Sequence, residues 1–417
     1  MRLSKTWILK QVEYLVTEQD AFFNQDIGTG KRAQVEFVSA NPTGPLHIGR
    51  TRGAIIGDSL ARLLEACGWT VEREYYFNNA GRQMELLGKS LQARYKEVLG
   101  HSAELPEDGY QGDYLIDMGQ KLKDENGDSW LDKDWQPFKE YAEKNIFEMI
   151  KATLERVSIK HDHFFNEMSV YEDNSMWETL QKLRDAGYIY EAVKGENTSE
   201  EDYSYDRKKE NIEPAVWFRS TNLGDSEDRV LVRSNGDPTY VLPDIAYHIN
   251  KLLRGFDIAY NILGSDHKDE AQTVAYGLTA LGYDVSRIRV ILHQFVTFGG
   301  IKGSTRAGNY VTLDDLIDQV GVDVVRYFMM MRSPNSQFDF DFDLAVKQSN
   351  ENPVYYIQNA YVRCCGIFRQ VTERGLPENW DHGADLSLLG ERELEFIRKM
   401  LELPELLVLA HDNAAPH

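Results

Sequence analysis

Cysteine is scarce in this chain: three among 417 residues, Cys67, Cys364 and Cys365. None stands in a CxxC pair or beside paired histidines at zinc spacing, which argues against both a disulfide scaffold and a zinc framework. No apolar run approaches the ~18 residues needed to span a bilayer. Met1 to Asp20 mixes Arg2, Lys5, Lys10, Glu13 and Glu18 among its apolar residues, so a signal-peptide core is missing. These absences point to a reducing cytoplasm and to no membrane partner. Basic residues are also in deficit, 46 Lys and Arg against 67 Asp and Glu, for a net charge of −21. Such a field opposes nonspecific attraction to nucleic acid, so a polyanionic partner must meet local cations. The available patches are Arg50 with Arg52, Arg207 with Lys208 and Lys209, and Arg363 with Arg374.

What remains is an ordinary globular mix, 42% hydrophobic and 27% charged, with material for two or three domains. Residues 1–31 read as an amphipathic lead-in helix followed by the turn Gly28-Thr29-Gly30. Ala33 to Val38 alternates and is β-branched, which predicts a strand running into the breaker-rich loop Ser39 to Pro45. Leu60, Leu63, Leu64 and Cys67 then fall on one helical stripe that Gly68 can close, and Val71 to Phe77 predicts a second strand. This strand-loop-helix-strand unit predicts a parallel sheet with a crossover helix, an α/β fold of the doubly wound, Rossmann-like class. Further strands are expected at Val230 to Val232, Thr239 to Leu242, Ile258 to Leu263 and Ile288 to Phe295. Residues 94–144 read as an insertion with helical ends, and 195–211 as a hydrophilic surface loop. The expected catalytic domain is 32–345.

In residues 346–417 the character changes to helix. Asn352-Pro353 is a cap with proline in the first turn, and Val354, Ile357, Tyr361, Cys364, Cys365 and Phe368 trace one face that ends before Gly375. A second helix is expected from about Leu386 until Pro404. Few later residues remain to cover these two apolar faces.

Two constellations carry chemistry. His47-Ile48-Gly49-Arg50 follows the first strand at a helix start, where unpaired N–H groups and the helix dipole favour phosphate. Gly49 lets a nucleotide approach the backbone, and His47 can donate to a phosphate. Alone, an HxG triplet is usually incidental. Lys302-Gly303-Ser304-Thr305-Arg306, within a glycine-flanked stretch, offers two cations to a triphosphate; alone, it is more often a solvated basic turn.

Taken together, VEFVSANPTGPLHIGRTRGAIIGDSLARLLEACG, REYYFNNAGRQM, GDPTYVLPDIAYH, STRAGNYVTL, GVDVVRYF and QSNENPVYYIQNAYVR closely resemble arginyl-tRNA synthetases of bacterial type, from about Val35 to Arg363. By that resemblance His47 to Arg50 corresponds to the HIGH signature and Lys302 to Thr305 to the KMSK signature of class I synthetases. It implies an arginine–tRNA ligase that forms arginyl-adenylate from L-arginine and ATP with Mg²⁺, then transfers arginine to the terminal adenosine of tRNA(Arg), as a monomer. Gly44, His47, Gly49, Lys302, Ser304 and Thr305 would face ATP. Glu167, Tyr240 and Asp244 would hold the guanidinium, which needs carboxylates that accept its planar fork. Ser39 and Asn41 match positions near the amino and carboxylate groups, and His267 another pocket position. Without the resemblance, Tyr240 reads as a core aromatic and Asp244 as a helix cap. No resident metal site is expected.

Several residues depart from the pattern. Arg50 replaces the second histidine of HIGH, Gly303 the methionine of KMSK, and Thr305 its second lysine. Some family members that lack this lysine carry one just before HIGH, but Gly44 occupies that position here. Arg306, or Arg50 from the opposite side, is expected to supply the missing charge. Relatives usually carry an N-terminal domain for the tRNA elbow and a C-terminal anticodon-binding bundle, so the chain reads as a catalytic fragment with part of that bundle. A noncatalytic nucleotide- or arginine-binding relative is the alternative; a small-molecule nucleotidyltransferase would not need Tyr240 and Asp244.

Overall fold

The computed structural model describes residues 4–79, 81–198, 213–297, 312–376 and 383–417. Ten strands are present among them: β1 (Arg32–Glu36), β2 (Thr70–Phe77), β3 (His163–Asn166), β4 (Ile189–Ala192), β5 (Ala215–Phe218), β6 (Arg229–Val232), β7 (Ile258–Gly264), β8 (Ile288–His293), β9 (Val296–Thr297) and β10 (Phe338–Asp339). Five of these form an all-parallel sheet in the order β3-β2-β1-β7-β8. The expected unit from Ala33 to Phe77 is there, with β1 beside β2. Parallel strands buried on both faces read as continuous apolar runs, and Ala33, Val35 and Phe37 are wholly buried. The chain reverses its strand order beside β1, so the crevice at the carboxyl ends of β1 and β7 is where an open α/β sheet takes ligands.

Helix α1 (Lys5–Glu18) leads in, and α2 (Ile48–Ala66) crosses from β1 to β2. Its stripe of Leu60, Leu63, Leu64 and Cys67 is buried as expected, and Gly68, at φ +88°, ends it. Three helices, α3 (Arg82–Val98), α4 (Tyr114–Asn126) and α5 (Trp135–Arg156), fill the connection to β3. The expected insertion limits of 94 and 144 therefore fall inside helices. The short α6 (Met168–Glu172) and α7 (Ser175–Asp185) precede a separate antiparallel sheet, β4-β5-β6. The strand expected at Val230 to Val232 belongs to this small sheet rather than to the doubly wound one. Thr239 to Leu242 is not a strand: Tyr240 caps α8 (Val241–Leu253), with Pro243 in its first turn, where its missing N–H costs nothing. Most of the hydrophilic segment 195–211 lies outside the described residues.

Beyond α9 (Lys268–Ala280), α10 (Leu313–Val320), α11 (Val322–Met330) and the short α12 (Phe342–Ala345), the chain becomes helical: α13 (Pro353–Glu373), α14 (Glu391–Met400) and α15 (Leu403–Asp412). Asn352 caps α13 through its side chain, and the helix stops before Gly375, as expected. The one helix expected between Leu386 and Pro404 is a 3₁₀ turn followed by α14, and Pro404 lies in the first turn of α15. On α13 only Val354 is buried; Ile357, Tyr361 and Phe368 are exposed. Helix α15 packs back on the end of α2, where the Trp69 indole donates to His411 Nε2 at 2.9 Å. No helix among the described residues is long and apolar enough to cross a membrane.

Gly57 lies where α2 crosses β1, and a Cβ there would overlap Phe37, a wholly buried residue. Alanine would add about 1 kcal/mol of helix propensity, against an overpacking cost of about 1–3 kcal/mol. Gly57→Ala is expected to lower the urea midpoint; an unchanged or raised midpoint would show that Phe37 yields freely.

Candidate active site

At the carboxyl edge of the sheet, β1 ends in a strained bend. Val38 and Ser39 have φ of +71° and +38°, a region that β-branched residues rarely enter. Neighbours hold the bend: Ser39 Oγ donates to Glu36 Oε1 at 2.9 Å and accepts from the Tyr76 amide at 3.1 Å. Beyond it opens a cavity of about 510 Å³ lined by Ser39, Asn41, Arg50, Glu167, Tyr240, Asp244 and His267. Seven residues singled out from sequence thus come from five separate stretches of chain to one cleft.

Asp244 projects into this cavity from the first turn of α8. Burial pushes its carboxyl well above the ordinary range, and the negative charges of Glu270, Glu167 and Glu36 push it further. The phenols nearby feel the same field. Burial, then Asp244 and Glu167, raise Tyr76, while burial with Glu167 and Asp244 pushes Tyr171 up to about 12. Tyr240 is 57% exposed at the rim, so it is not a core aromatic. Crowded carboxylates ringed by phenols make a pocket that gains by accepting a planar cation with several N–H donors.

Beneath the pocket the acids are already paired. Lys251, wholly buried, bonds Glu36 and donates to Asn261 Oδ1 at 2.6 Å. Asn261 donates to His248 Nε2 at 2.6 Å, so His248 Nδ1 carries the hydrogen given to the Asp244 carbonyl at 2.8 Å. Burial, then Lys251, takes His248 down to about 4 and keeps it neutral. Burial alone would raise Glu74, but Lys251, the Tyr247 hydroxyl and Arg254 hold it below the ordinary range. Glu72, Glu74 and His163 bring their ligand atoms within 4.8 Å of one another. Arg254 already sits on that trio, 3.3 Å from Glu72 and 2.5 Å from Glu74.

A second cavity, about 190 Å³, adjoins the first and shares Asn41, Arg50 and Gln83 with it. Gly44 and His47 line it. His47 caps α2: its Nδ1 accepts from the Gly49 amide at 2.9 Å. Burial and Arg50 lower its pKa, so the ring is neutral and, with Nδ1 accepting, its hydrogen lies on the buried Nε2. Gly49 acts through this cap and does not line either cavity. A Cβ on Gly44 would lie 3.2 Å from the Tyr114 hydroxyl, which donates to the Thr43 carbonyl. Helix α4 thus takes up the space a side chain at 44 would need. Asn41 Nδ2 donates to Gln83 Oε1 at 2.6 Å, where the cavities meet.

Lys302, Ser304, Thr305 and Arg306 lie outside the described residues, as do Arg207, Lys208 and Lys209. Their flanks reach the site: Thr312 bridges His47, and Leu313 N donates to Leu46 O at 2.9 Å. Arg52 corrects the sequence reading. It is 0% exposed and donates to backbone carbonyls, so it cannot form a surface patch with Arg50. Arg363 and Arg374 are exposed.

Glu36, Tyr76, Gln83, Lys251 and Glu270 were missed from sequence. Gln83 lies within the REYYFNNAGRQM segment, and Glu270 is three residues after His267, whose Nδ1 lies 3.0 Å from it. That hydrogen bond is the main cause of the raised His267 pKa.

Residues 11–336 match the family model "tRNA synthetases class I (R), catalytic domain". The chain belongs to the class I arginyl-tRNA synthetases. An arginine–tRNA ligase from Desulfotalea psychrophila is 47% identical to this synthetase over 402 residues, covering 95% of this chain and 69% of that protein. One from Chlorobium phaeobacteroides is 43% identical over 420 residues, covering 97% and 72%. A solved Campylobacter jejuni structure assigned to arginyl tRNA synthetases superposes with a TM-score of 0.86 at 30% identity, covering 99% of this chain and 87% of that one.

A cation bound beside Asp244 should lower its raised pKa and release a proton. The sign follows: the free site binds guanidinium compounds weakly while Asp244 is protonated, and more tightly as pH rises through its folded pKa. Calorimetry of arginine in two buffers of different ionisation enthalpy, over roughly pH 5–8, is expected to show proton release. Asp244→Asn should abolish both release and pH dependence; proton uptake by the parent would refute the reading.

Proposed function

We propose that this synthetase activates L-arginine with ATP at the joined cavities and transfers it to the terminal adenosine of tRNA(Arg). The observation that supports this most is that Glu167 and Asp244, far apart in sequence, line one cavity with Tyr240. The guanidinium is held there by both carboxylates, and charge-assisted, planar contacts of this kind select arginine over lysine. Ser39, Asn41 and His267 line the same cavity and take the amino and carboxylate end and the adjoining wall. The α-carboxylate is directed to the junction with the smaller cavity, where Asn41, Arg50 and Gln83 belong to both.

ATP enters with Mg²⁺ as its substrate complex, its phosphates at the start of α2. The arginine carboxylate oxygen attacks the α-phosphorus, the bond to the bridging oxygen of pyrophosphate breaks, and arginyl-adenylate forms. The neutral His47 turns its Nε2 hydrogen to a phosphate oxygen, Gly44 lines the cavity that takes the nucleotide, and Gly49 acts through its amide bond to His47. Lys302, Ser304 and Thr305 form the KMSK-type partner segment. Arg50, exposed and lining both cavities, or Arg306, supplies the charge that the second KMSK lysine carries elsewhere. The ribose hydroxyl of the tRNA's terminal adenosine then attacks the adenylate carbonyl and releases AMP. Residues 32–345 act as the catalytic domain, and 346–417, with Arg363 and Arg374 exposed, as the helical side that meets tRNA.

Arginine-dependent exchange of pyrophosphate into ATP, with and without tRNA, tests this reading. Exchange requiring Mg²⁺, arginine and tRNA is expected. Arginine binding without exchange under any of these conditions would leave a noncatalytic binding relative. Asp244→Asn and Glu167→Gln should each weaken arginine binding by roughly 30-fold or more, the scale for truncating one partner of a buried charge pair. Removing the cation that faces the phosphates should slow exchange by about 10²-fold. Arg50→Ala and Arg306→Ala, compared side by side, assign that charge to whichever position shows the loss.

A further inference from the structure

Arg52 is the largest wholly buried side chain in the protein's described residues, and no carboxylate there lies within ion-pair distance of it. A buried guanidinium without a counter-ion is costly unless its donors are satisfied. Four main-chain carbonyls serve that purpose. Nη1 donates to Gln294 O at 3.0 Å and Ser336 O at 2.7 Å; Nη2 donates to Ser333 O at 2.8 Å and, more weakly, to Arg332 O at 3.4 Å. The guanidinium also lies 5.9 Å from the centre of the Phe338 ring. Its Nε is buried without a partner.

These partners belong to two segments far apart in sequence. Gln294 lies between β8 and β9, while Arg332 to Ser336 leads into β10, which pairs in parallel with β9 through Val296 and Phe338. Gln294 N also donates to Pro334 O at 2.9 Å, which ties the segments together. Arg52 itself stands on α2 five residues after His47 and two after Arg50. One planar group thus joins the first turns of α2 to the paired strands from which the chain continues, in sequence, toward Lys302.

We propose that Arg52 is a positioning residue for adenylate formation: its guanidinium fixes the start of α2, with His47 and Arg50, against the base of β9 and β10. This rests on the proposed activity. Arg52 touches no substrate, because its bonding donors are spent on protein carbonyls. A lysine retains the charge but lacks the planar fork that spans both segments.

Arg52→Lys is expected to lower the kcat of tRNA-dependent pyrophosphate exchange roughly tenfold or more, since misplacement of about 1 Å can cost up to about 10²-fold. Arginine affinity by calorimetry should stay within about twofold of the parent, because Glu167, Tyr240 and Asp244 are held by other elements. Parental kcat, or an arginine affinity falling by the same factor as kcat, would overturn the proposal. A measurement on the unaltered chain keeps the test open should Arg52→Lys fold poorly. By hydrogen exchange at graded denaturant, the amides of 52–57, 295–297 and 336–340 should open together with one denaturant dependence; independent opening would overturn it. If the parent shows no exchange activity, the functional reading fails, while the amide measurement still decides whether Arg52 joins these segments.

Discussion

Like charges confined in one cavity wall govern this molecule. Asp244 is raised by burial and by Glu270, Glu167 and Glu36 together, so the cavity is poised against its own acids until a cation arrives. The fold makes this tolerable by dividing its carboxylates into two groups. Glu36 and Glu74, on the central strands, are neutralised from within by Lys251 and Arg254. Glu167, Asp244 and Glu270 line the cavity beside Glu36. Lys251, which pairs Glu36, also opposes the rise at Asp244, so without it the repulsion there would be greater. The internal pairs therefore set the charge that the ligand must match.

Backbone strain serves the same arrangement. Positive φ at Val38 and Ser39 costs on the order of 1–3 kcal/mol per residue, and persists because Ser39 Oγ bridges Glu36 and the Tyr76 amide. The bend turns the chain away from the line of β1 at Val38 and Ser39. With it, Asn41 turns back to meet Gln83 where the two cavities join. The junction proposed to take the arginine carboxylate thus adjoins the bend, Asn41 standing two residues after Ser39.

Legibility from sequence followed periodicity. The unit from Ala33 to Phe77 was readable because its strands are buried runs and α2 carries an apolar stripe. Thr239 to Leu242 was misread because a short apolar run suits a strand or a helix start equally; Pro243, allowed in a first turn, was the deciding residue. Assigning β6 to the main sheet failed for another reason, since a strand's pattern does not say which partner it finds. Arg52 looked like a surface cation because composition cannot reveal which carbonyls a fold turns inward. Lys251, seven residues after Asp244 on a helix of buried apolar neighbours, did carry a signal: a charge inside an apolar stripe needs an internal partner. The proposed guanidinium pocket is legible only through family resemblance, because Glu167 and Asp244, 77 residues apart, share no spacing rule.

Helix α2 shows how these parts act together. It runs 19 residues, roughly 28 Å at the usual rise, and is held at three levels. At its far end Trp69 and Cys67 meet the helical tail through His411 and Leu407. In the middle Gly57 lets the Phe37 ring lie against its backbone, and near its start Arg52 bonds the carbonyls of two loops. A rod fixed at three separated levels has little freedom to tilt. Its first turn, with His47 already bonded to the Gly49 amide, is ordered without a ligand. A nucleotide bound there, as proposed, would meet an ordered helix start, so its binding energy would not be consumed in ordering that turn and would remain for the chemical step.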